Sequence, residues 1–378
     1  MRKFSLVVIM LAMFLLGCNR TSQMQQTYNF DSISICHVNN GWVVNKGEGK
    51  LYKTNDGGKS WIDITPIGAG SISPFSYYFM DVNTAWVLYS NILYFTEDGG
   101  MHWNNSKVPF NSAILFFTRS HDSFTGWALK SYGMASGNEP VDLYKFESNS
   151  WILISKGEMP SEVSKDEGKI PYPGDKKGFV MLPDMMRGFI TIEYRSPGDY
   201  GLYVTNDGGR TWHSEKLDTL KNKKDEAFVM YSPRVFNCGT KPTVILPVLC
   251  EKINTNHLDY SVIFFSKNLD IDIWYEVSTL SIKDRVLDID IEDSLHWCVL
   301  TDSNLYKTDN GGKNWIELPP IEGAVEVQFV NSETGFALVK KDNKTMLYRT
   351  HNAAHSWAKL HPKLSLLFWF SSLFPKIL

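Results

Sequence analysis

LYKTNDGGKSW, Leu51 to Trp61, returns as LYFTEDGGMHW (Leu93 to Trp103), LYVTNDGGRTW (Leu202 to Trp212) and LYKTDNGGKNW (Leu305 to Trp315). A worn copy, LYRTHNAAHSW, runs from Leu347 to Trp357. With that frame set, two more copies emerge. LYKFESNSW (Leu143 to Trp151) has lost two residues, and IFFSKNLDIDIW (Ile263 to Trp274) has gained one. The closing residues Trp61, Trp103, Trp151, Trp212, Trp274, Trp315 and Trp357 lie 41 to 62 residues apart, so the chain is built from seven units.

A second motif precedes the first in most units. Gly41-Trp42-Val43-Val44, Ala85-Trp86-Val87-Leu88, Gly126-Trp127-Ala128-Leu129, Gly188-Phe189-Ile190, His296-Trp297-Cys298-Val299 and Gly335-Phe336-Ala337-Leu338 occupy one position. Another short apolar run comes before each. The pattern predicts four short strands per unit of about 40 residues, which is the spacing of a propeller blade. A lone four-stranded sheet with two apolar faces cannot bury both, whereas stacking in a ring does. The fold expected is therefore all-β, a seven-bladed β-propeller of four-stranded antiparallel blades with the repeated turn between strands 3 and 4. The 13% aromatic content and 12 Trp agree with a large β-rich core.

The turn follows Ser/Thr-x-Asp-x-Gly-x-x-Trp. Thr54, Asp56, Gly58 and Trp61 fill it, as do Thr96, Asp98, Gly100 and Trp103, and Thr205, Asp207, Gly209 and Trp212. Thr308, Asn310, Gly312 and Trp315 fill it with Asn in place of Asp. The carboxylate suits N–H groups of its own turn, and glycine accepts positive φ. Each Asp recurs at one place in its unit, so these acids mark one outer face and do not converge on a reaction centre. The motif resembles the Asp-box, or bacterial neuraminidase repeat, of sialidases, the sortilin ectodomain and certain xyloglucan hydrolases. Together with the GWVV-like strands it is similar to the photosystem II assembly and stability factor family and its relatives in non-photosynthetic bacteria. That resemblance covers about residues 30 to 361. It implies a propeller that binds a protein partner. The family's basic partner-binding patch has no match here, so no functional residue is carried over.

The first residues read as an export signal. Arg2 and Lys3 precede an apolar run from Ser5 to Leu16, too short to span a bilayer comfortably. Leu15-Leu16-Gly17-Cys18 resembles the bacterial lipobox, which makes Cys18 the expected lipidation site. Several acyl chains, at roughly 0.8 kcal/mol per buried CH₂, would hold the protein at a membrane. An uncleaved anchor or a plain secretory peptide is the alternative. Asn19, by analogy with lipoprotein sorting, permits outer-membrane delivery. The organisation expected is thus a signal over 1–18, a polar tether over 19–29, the propeller over 30–361 and an apolar tail over 362–378 beginning at Leu364.

A net charge of −3 gives no field suited to nucleic acid. Cys36, Cys238, Cys250 and Cys298 fit no zinc spacing and read as small core residues. His351 and His355 sit four apart on a turn, which is not the helical metal geometry. No metal or cofactor is expected. A sialidase needs an arginine cluster and an Arg-Ile-Pro segment near its first blade. Here the first blade holds no Arg, and Pro233-Arg234-Val235 in blade 5 is the nearest echo.

Two readings of function remain. One is a non-catalytic scaffold for an envelope protein or complex. The other is a glycan-binding protein or glycoside hydrolase on the same ring, for which Asp288, Asp290 and Glu326 are the candidate inner-strand acids. Their alternation with Leu287, Ile289 and Ile291 also suits a half-solvated strand. Five insertions, Lys130 to Asp142, Lys156 to Lys177, Tyr194 to Gly201, Leu217 to Glu226 and Glu251 to Asp259, fall in blades 3 to 5. By topology all five belong to one face, which makes that sector the expected partner surface.

Overall fold

The computed structural model describes residues 30–365 apart from 70–75, 121–122, 160–167, 195, 239–240, 254–258, 343 and 362. Cys18 and residues 366–378 of the tail lie outside the described residues. The chain forms seven blades, each built on an antiparallel meander from one continuous stretch of sequence. Blade 1 runs outward from the axis as Ser32–His37, Asn40–Asn45, Lys50–Thr54 and Ser60–Asp63. The inner strands of blades 2, 3 and 4 are Ser76–Phe79, Ala113–Ser120 and Asp175–Met181. Those of blades 6 and 7 are Val286–Ile291 and Ala324–Phe329.

Blade 5 departs from the pattern. Its inner strand is split into Glu226–Met230 and Arg234–Cys238, both paired with Lys241–Lys252. Ser232 and Pro233 lie in the gap, and proline has no N–H to give to the ladder.

The apolar core is partitioned by the blade interfaces. Seven buried clusters lie one between each pair of neighbours. Between blades 2 and 3, for example, the rings of Trp86 and Phe117 stack with centroids 3.9 Å apart. Burying one such side chain is worth about 1.5–3 kcal/mol, so each interface is a substantial share of the fold's stability.

The aspartate turns explain why the third and fourth strands hold together at so short a loop. Thr54 Oγ1 donates to Asp56 Oδ1 and accepts the Gly58 N–H, both at 2.9 Å. Asp56 Oδ1 also accepts the Ser60 N–H at 2.9 Å. The same three bonds recur around Asp98, Asp207, Asn310 and Asn352. Burial pushes the Asp98 carboxyl up, but hydrogen bonds from His102 and Thr96 outweigh it and hold the group at about 2. Because Asn serves as well as Asp in two turns, geometry and not charge is what the position requires.

Blades are also tied across their interfaces by polar groups. Trp42 Nε1 donates to Asp81 O of blade 2 at 3.0 Å, and Arg349 Nη1 of blade 7 donates to Gly57 O of blade 1 at 3.1 Å. A Cβ at Gly57 would lie 1.8 Å from that guanidinium, so glycine is required there by contact as well as by its φ of 73°.

The ring closes by packing of blade 7 on blade 1 and by one added strand. Phe336, Leu338 and Leu347 of blade 7 pack on Phe30, Ile33, Val43 and Trp61 of blade 1. Lys363–Ser365, assigned by sequence to the tail, then runs parallel to Ser60–Ile62 as a fifth strand on the outer edge of blade 1.

In the worn turn, Ala353 and Ala354 adopt φ of 57° and 75°, the region where the other turns use glycine pairs. A left-handed residue with a Cβ costs about 1–2 kcal/mol. Replacing Ala353 by Gly should therefore raise unfolding free energy in urea by about 1 kcal/mol. Ala354→Gly should gain less, because its methyl is buried between blades 6 and 7 and losing it costs about 0.8 kcal/mol. Destabilisation by Ala353→Gly would contradict this account.

Candidate functional site

All seven inner strands face a central cavity of about 1030 Å³. Its wall includes aromatic residues Tyr78, Phe116 and Phe179. Charge enters from only some blades: Arg119 of blade 3, Lys177 of blade 4, Arg234 of blade 5, and Asp290, Glu292 and Asp293 of blade 6. Lys177 is committed to Asp175 at 2.6 Å and Glu193 at 2.8 Å. Arg234 is exposed, presented by the break in blade 5. Gly178 of blade 4 makes that break possible, since a Cβ there would come within 2.4 Å of the Ser232 Cα.

The inner-strand acids singled out from sequence prove to be neighbours; of the three only Asp290 borders the central cavity, and all accept backbone N–H groups of the adjacent blade. Asp288 accepts the Val327 N–H at 2.9 Å and Asp290 accepts the Phe329 N–H at 2.7 Å, so blade 6 is buttoned to blade 7. Glu326 accepts the Ile33 N–H and the Ser32 hydroxyl, both at 3.3 Å, and Gln328 accepts the Ile35 N–H at 2.7 Å. Gln328 Nε2 also donates back to Ile35 O. Blade 7 is thus buttoned to blade 1 by the same device. Leu287, Asp288 and Ile289 are half-buried, but Asp290 is not. Asp290 is buried, because its polar row points at the adjacent blade and not at water.

Burial pushes these carboxyls up, against the pull of the backbone N–H groups. Asp288 rises to about 6, helped down by Arg234. Asp290 rises to about 7, with Asp288 and Glu292 adding repulsion, and Glu326 rises to about 7, with Asp288 adding to burial. Gln328 and Glu292 were not singled out by sequence. The alternating Asp288-x-Asp290-x-Glu292 and Glu326-x-Gln328 rows were the available signal.

The described parts of the five insertions form a loop rim tied in two sets, 130–142 with 156–177 and 194–201 with 217–226 and 251–259, and the first set also reaches the aspartate-turn edge of blade 4, where the Trp212 N–H donates to Gly168 O at 3.0 Å. In the loop between strands 2 and 3 of blade 3, Glu139 N donates to Gly174 O at 3.2 Å, and Asn138 Oδ1 accepts the Gly174 N–H at 3.3 Å. Lys176 N donates to Glu139 Oε2 at 2.9 Å, while its ammonium donates to the carbonyls of Tyr172, Pro173 and Gly174. Burial lowers that ammonium to about 8. Farther round, Gly198 N donates to Glu226 O at 2.7 Å, Leu217 N donates to the Tyr200 hydroxyl at 2.9 Å, and Ile253 N donates to Asp225 O at 3.0 Å. Tyr132 and Met134 stand on this rim 51% and 50% exposed, which is unusual for such large side chains in a loop otherwise tied down.

No family model and no curated protein matches the chain. Solved structures do match, and their likeness shows the fold. Pairing with a structure of prolyl endopeptidases gives 12% identity over 89% of this chain and 50% of that one, with a TM-score of 0.50. A structure described as YCF48 bound to D1 peptide is 15% identical over 86% of this chain and 93% of that one, with a TM-score of 0.47. The GH74 enzyme of Niastella koreensis is 14% identical over 88% of this chain and 56% of that one, with a TM-score of 0.35.

Groups whose carboxyl is raised on folding stabilise most below the unfolded value near 4 and lose that contribution as pH rises through 6 to 7. Asp290→Asn keeps an oxygen for the Phe329 N–H and carries no charge. It should raise stability at pH 8 by roughly 2 kcal/mol and change little at pH 5. Asp290→Leu leaves that N–H unpaired and should cost about 1–3 kcal/mol at pH 5, where the native carboxyl is neutral. Urea titrations at both pH values separate the two. Parallel behaviour of the variants would refute the lock.

Proposed function

We propose that this protein is a non-catalytic binding scaffold, held at the bacterial cell envelope by lipid on Cys18, that presents its blade 3–5 loop rim to an envelope protein or complex. The observation that carries the reading is the rim itself. Insertions from blades 3 to 5 order their neighbours, in two sets, through backbone and side-chain hydrogen bonds. Loops elongated without a role have no need to interlock, whereas loops that recognise a partner gain by being pre-organised before contact. Exposed Tyr132 and Met134 supply the aromatic and adaptable apolar groups that interfaces favour.

Glycoside hydrolysis is the weaker alternative. It needs two carboxylates about 5–10 Å apart across an open cleft. Asp288, Asp290 and Glu326 instead accept backbone N–H groups of neighbouring blades. The anchor rests on Leu15-Leu16-Gly17-Cys18, and the outer membrane as destination rests on Asn19.

A photo-crosslinking residue in place of Met134 should trap one envelope protein in intact cells. The same residue in place of Met101, which is 67% exposed on an aspartate turn of the other face, should not. Deleting 160–167 should leave the thermal transition in place and reduce the Met134 adduct. Equal trapping from both faces, or none from either, would sink the proposal. Loss of lipid labelling in Cys18→Ser is the separate check on the anchor.

A further inference from the structure

The chain enters and leaves the described fold on one face of one blade. Ser32–His37 runs toward the aspartate turn, where Gly57 N donates to Asn39 O at 2.9 Å, so Phe30 enters on the face opposite the turns. Lys46 N donates to Asp31 Oδ2 at 2.6 Å, which places the entry beside the hairpin between strands 2 and 3. Ser60–Asp63 runs away from the same aspartate turn, and Lys363–Ser365 lies parallel to it. Residue 366 therefore leaves on the face where residue 30 arrives, at the outer edge of blade 1. Ile67, in the link from blade 1 to blade 2 on that face, is 93% exposed.

The sequence that follows is LLFWFSSLFPKIL, residues 366–378. Nine of its 13 residues are apolar, none is acidic, and Lys376 is its charge, so water is a poor solvent for it. It is shorter than the roughly 20 residues that a spanning helix needs. Trp369 among Leu and Phe is the composition of a segment that lies between headgroups and acyl chains. The outer strands around it agree in charge. Lys107 on blade 2, Lys359 on blade 7 and Lys363 on the added strand of blade 1 are exposed, and Asp63, the acid on these strands, is paired with Lys50 at 2.9 Å. The outer strands of blades 5 and 6 carry exposed Glu276 and Glu317 instead. Cations along one edge suit an anionic lipid surface.

We propose that residues 366–378 lie in the interface of an anionic bilayer and, together with Lys107, Lys359 and Lys363, seat the blade 7–1–2 edge of the propeller on it. The contact goes beyond lipid on Cys18. That lipid, acting through the polar leash 19–29, would tether the propeller without orienting it. A second contact beside the entry of the leash selects which edge meets the membrane. It needs a membrane at hand but not the chemistry of Cys18.

The test is photo-crosslinking of the full chain, purified as the cell makes it, in vesicles of phosphatidylethanolamine and phosphatidylglycerol. A photo-reactive residue in place of Trp369 or of Ile67 should give lipid adducts. The same residue in place of Ile271, 63% exposed on blade 5, should not. Deleting 366–378, or combining Lys107→Glu with Lys359→Glu, should lower the Ile67 adduct at least about fivefold and leave the thermal transition unmoved. Vesicles of phosphatidylcholine alone should lower it likewise. No lipid on Trp369, adducts of Trp369 to a protein chain in place of lipid, or lipid on Ile271 as readily as on Ile67 would each overturn the proposal. So would an Ile67 adduct indifferent to the deletion, to the charge reversals or to the lipid charge. A Cys18 that takes up no lipid label while Trp369 still gives lipid adducts would remove the anchor and leave this contact standing.

Discussion

Every blade of this protein has two apolar faces, and no blade can be wet on either. That constraint organises the molecule. It is met by seven clusters of buried side chains, each shared by two neighbours, and it can be met only if the last blade returns to the first. The aspartate turns, the inner-strand locks and the fifth strand on blade 1 are subordinate to that packing. They fix the shape of each slice and its register against the next, so that large rings such as Trp86 and Phe117 meet in a stack.

Polar chemistry near the axis follows from the same closure. Where two inner strands converge, backbone N–H groups lose access to water and must find acceptors. Blades 6 and 7 supply them from side chains, using Asp288, Asp290, Glu326 and Gln328. The acids therefore serve the scaffold first, and their elevated protonation is a by-product of being buried. Only where the row outruns its partner strand, at Glu292, is a carboxyl left with bonding capacity. Blade 5 handles its inner strand differently. It breaks at Ser232 and Pro233 and turns Arg234 toward the opening, and Gly178 across the interface makes room.

The repeat of LYKTNDGGKSW type made the blade count legible because its chemistry is local: Thr, Asp and Gly satisfy one another within four residues. The positions of Asp288 and Glu326 on inner strands were legible for the same reason, as alternation along one strand. Their partners were not. A carboxyl that meets an N–H 39 residues ahead, or 293 residues back at Ile33, depends on how neighbouring blades align, and no local pattern records it. The split in blade 5 carried a proline as warning but gave no sign that Arg234 would be the side chain exposed. Placement of the five insertions followed from strand order alone, whereas their mutual hydrogen bonds depend on loop conformations that sequence spacing does not specify.

The two ends of the described chain converge on one residue. The Phe30 ring lies 5.6 Å from that of Trp61, and Leu364 pairs with Trp61 along the parallel fifth strand. In a wheel of seven, blade 1 stands across the hub from blades 4 and 5. Were the protein held from its amino end, blade 1 would be the point of attachment, and the elaborated loops of blades 3 to 5 would stand across the ring from it.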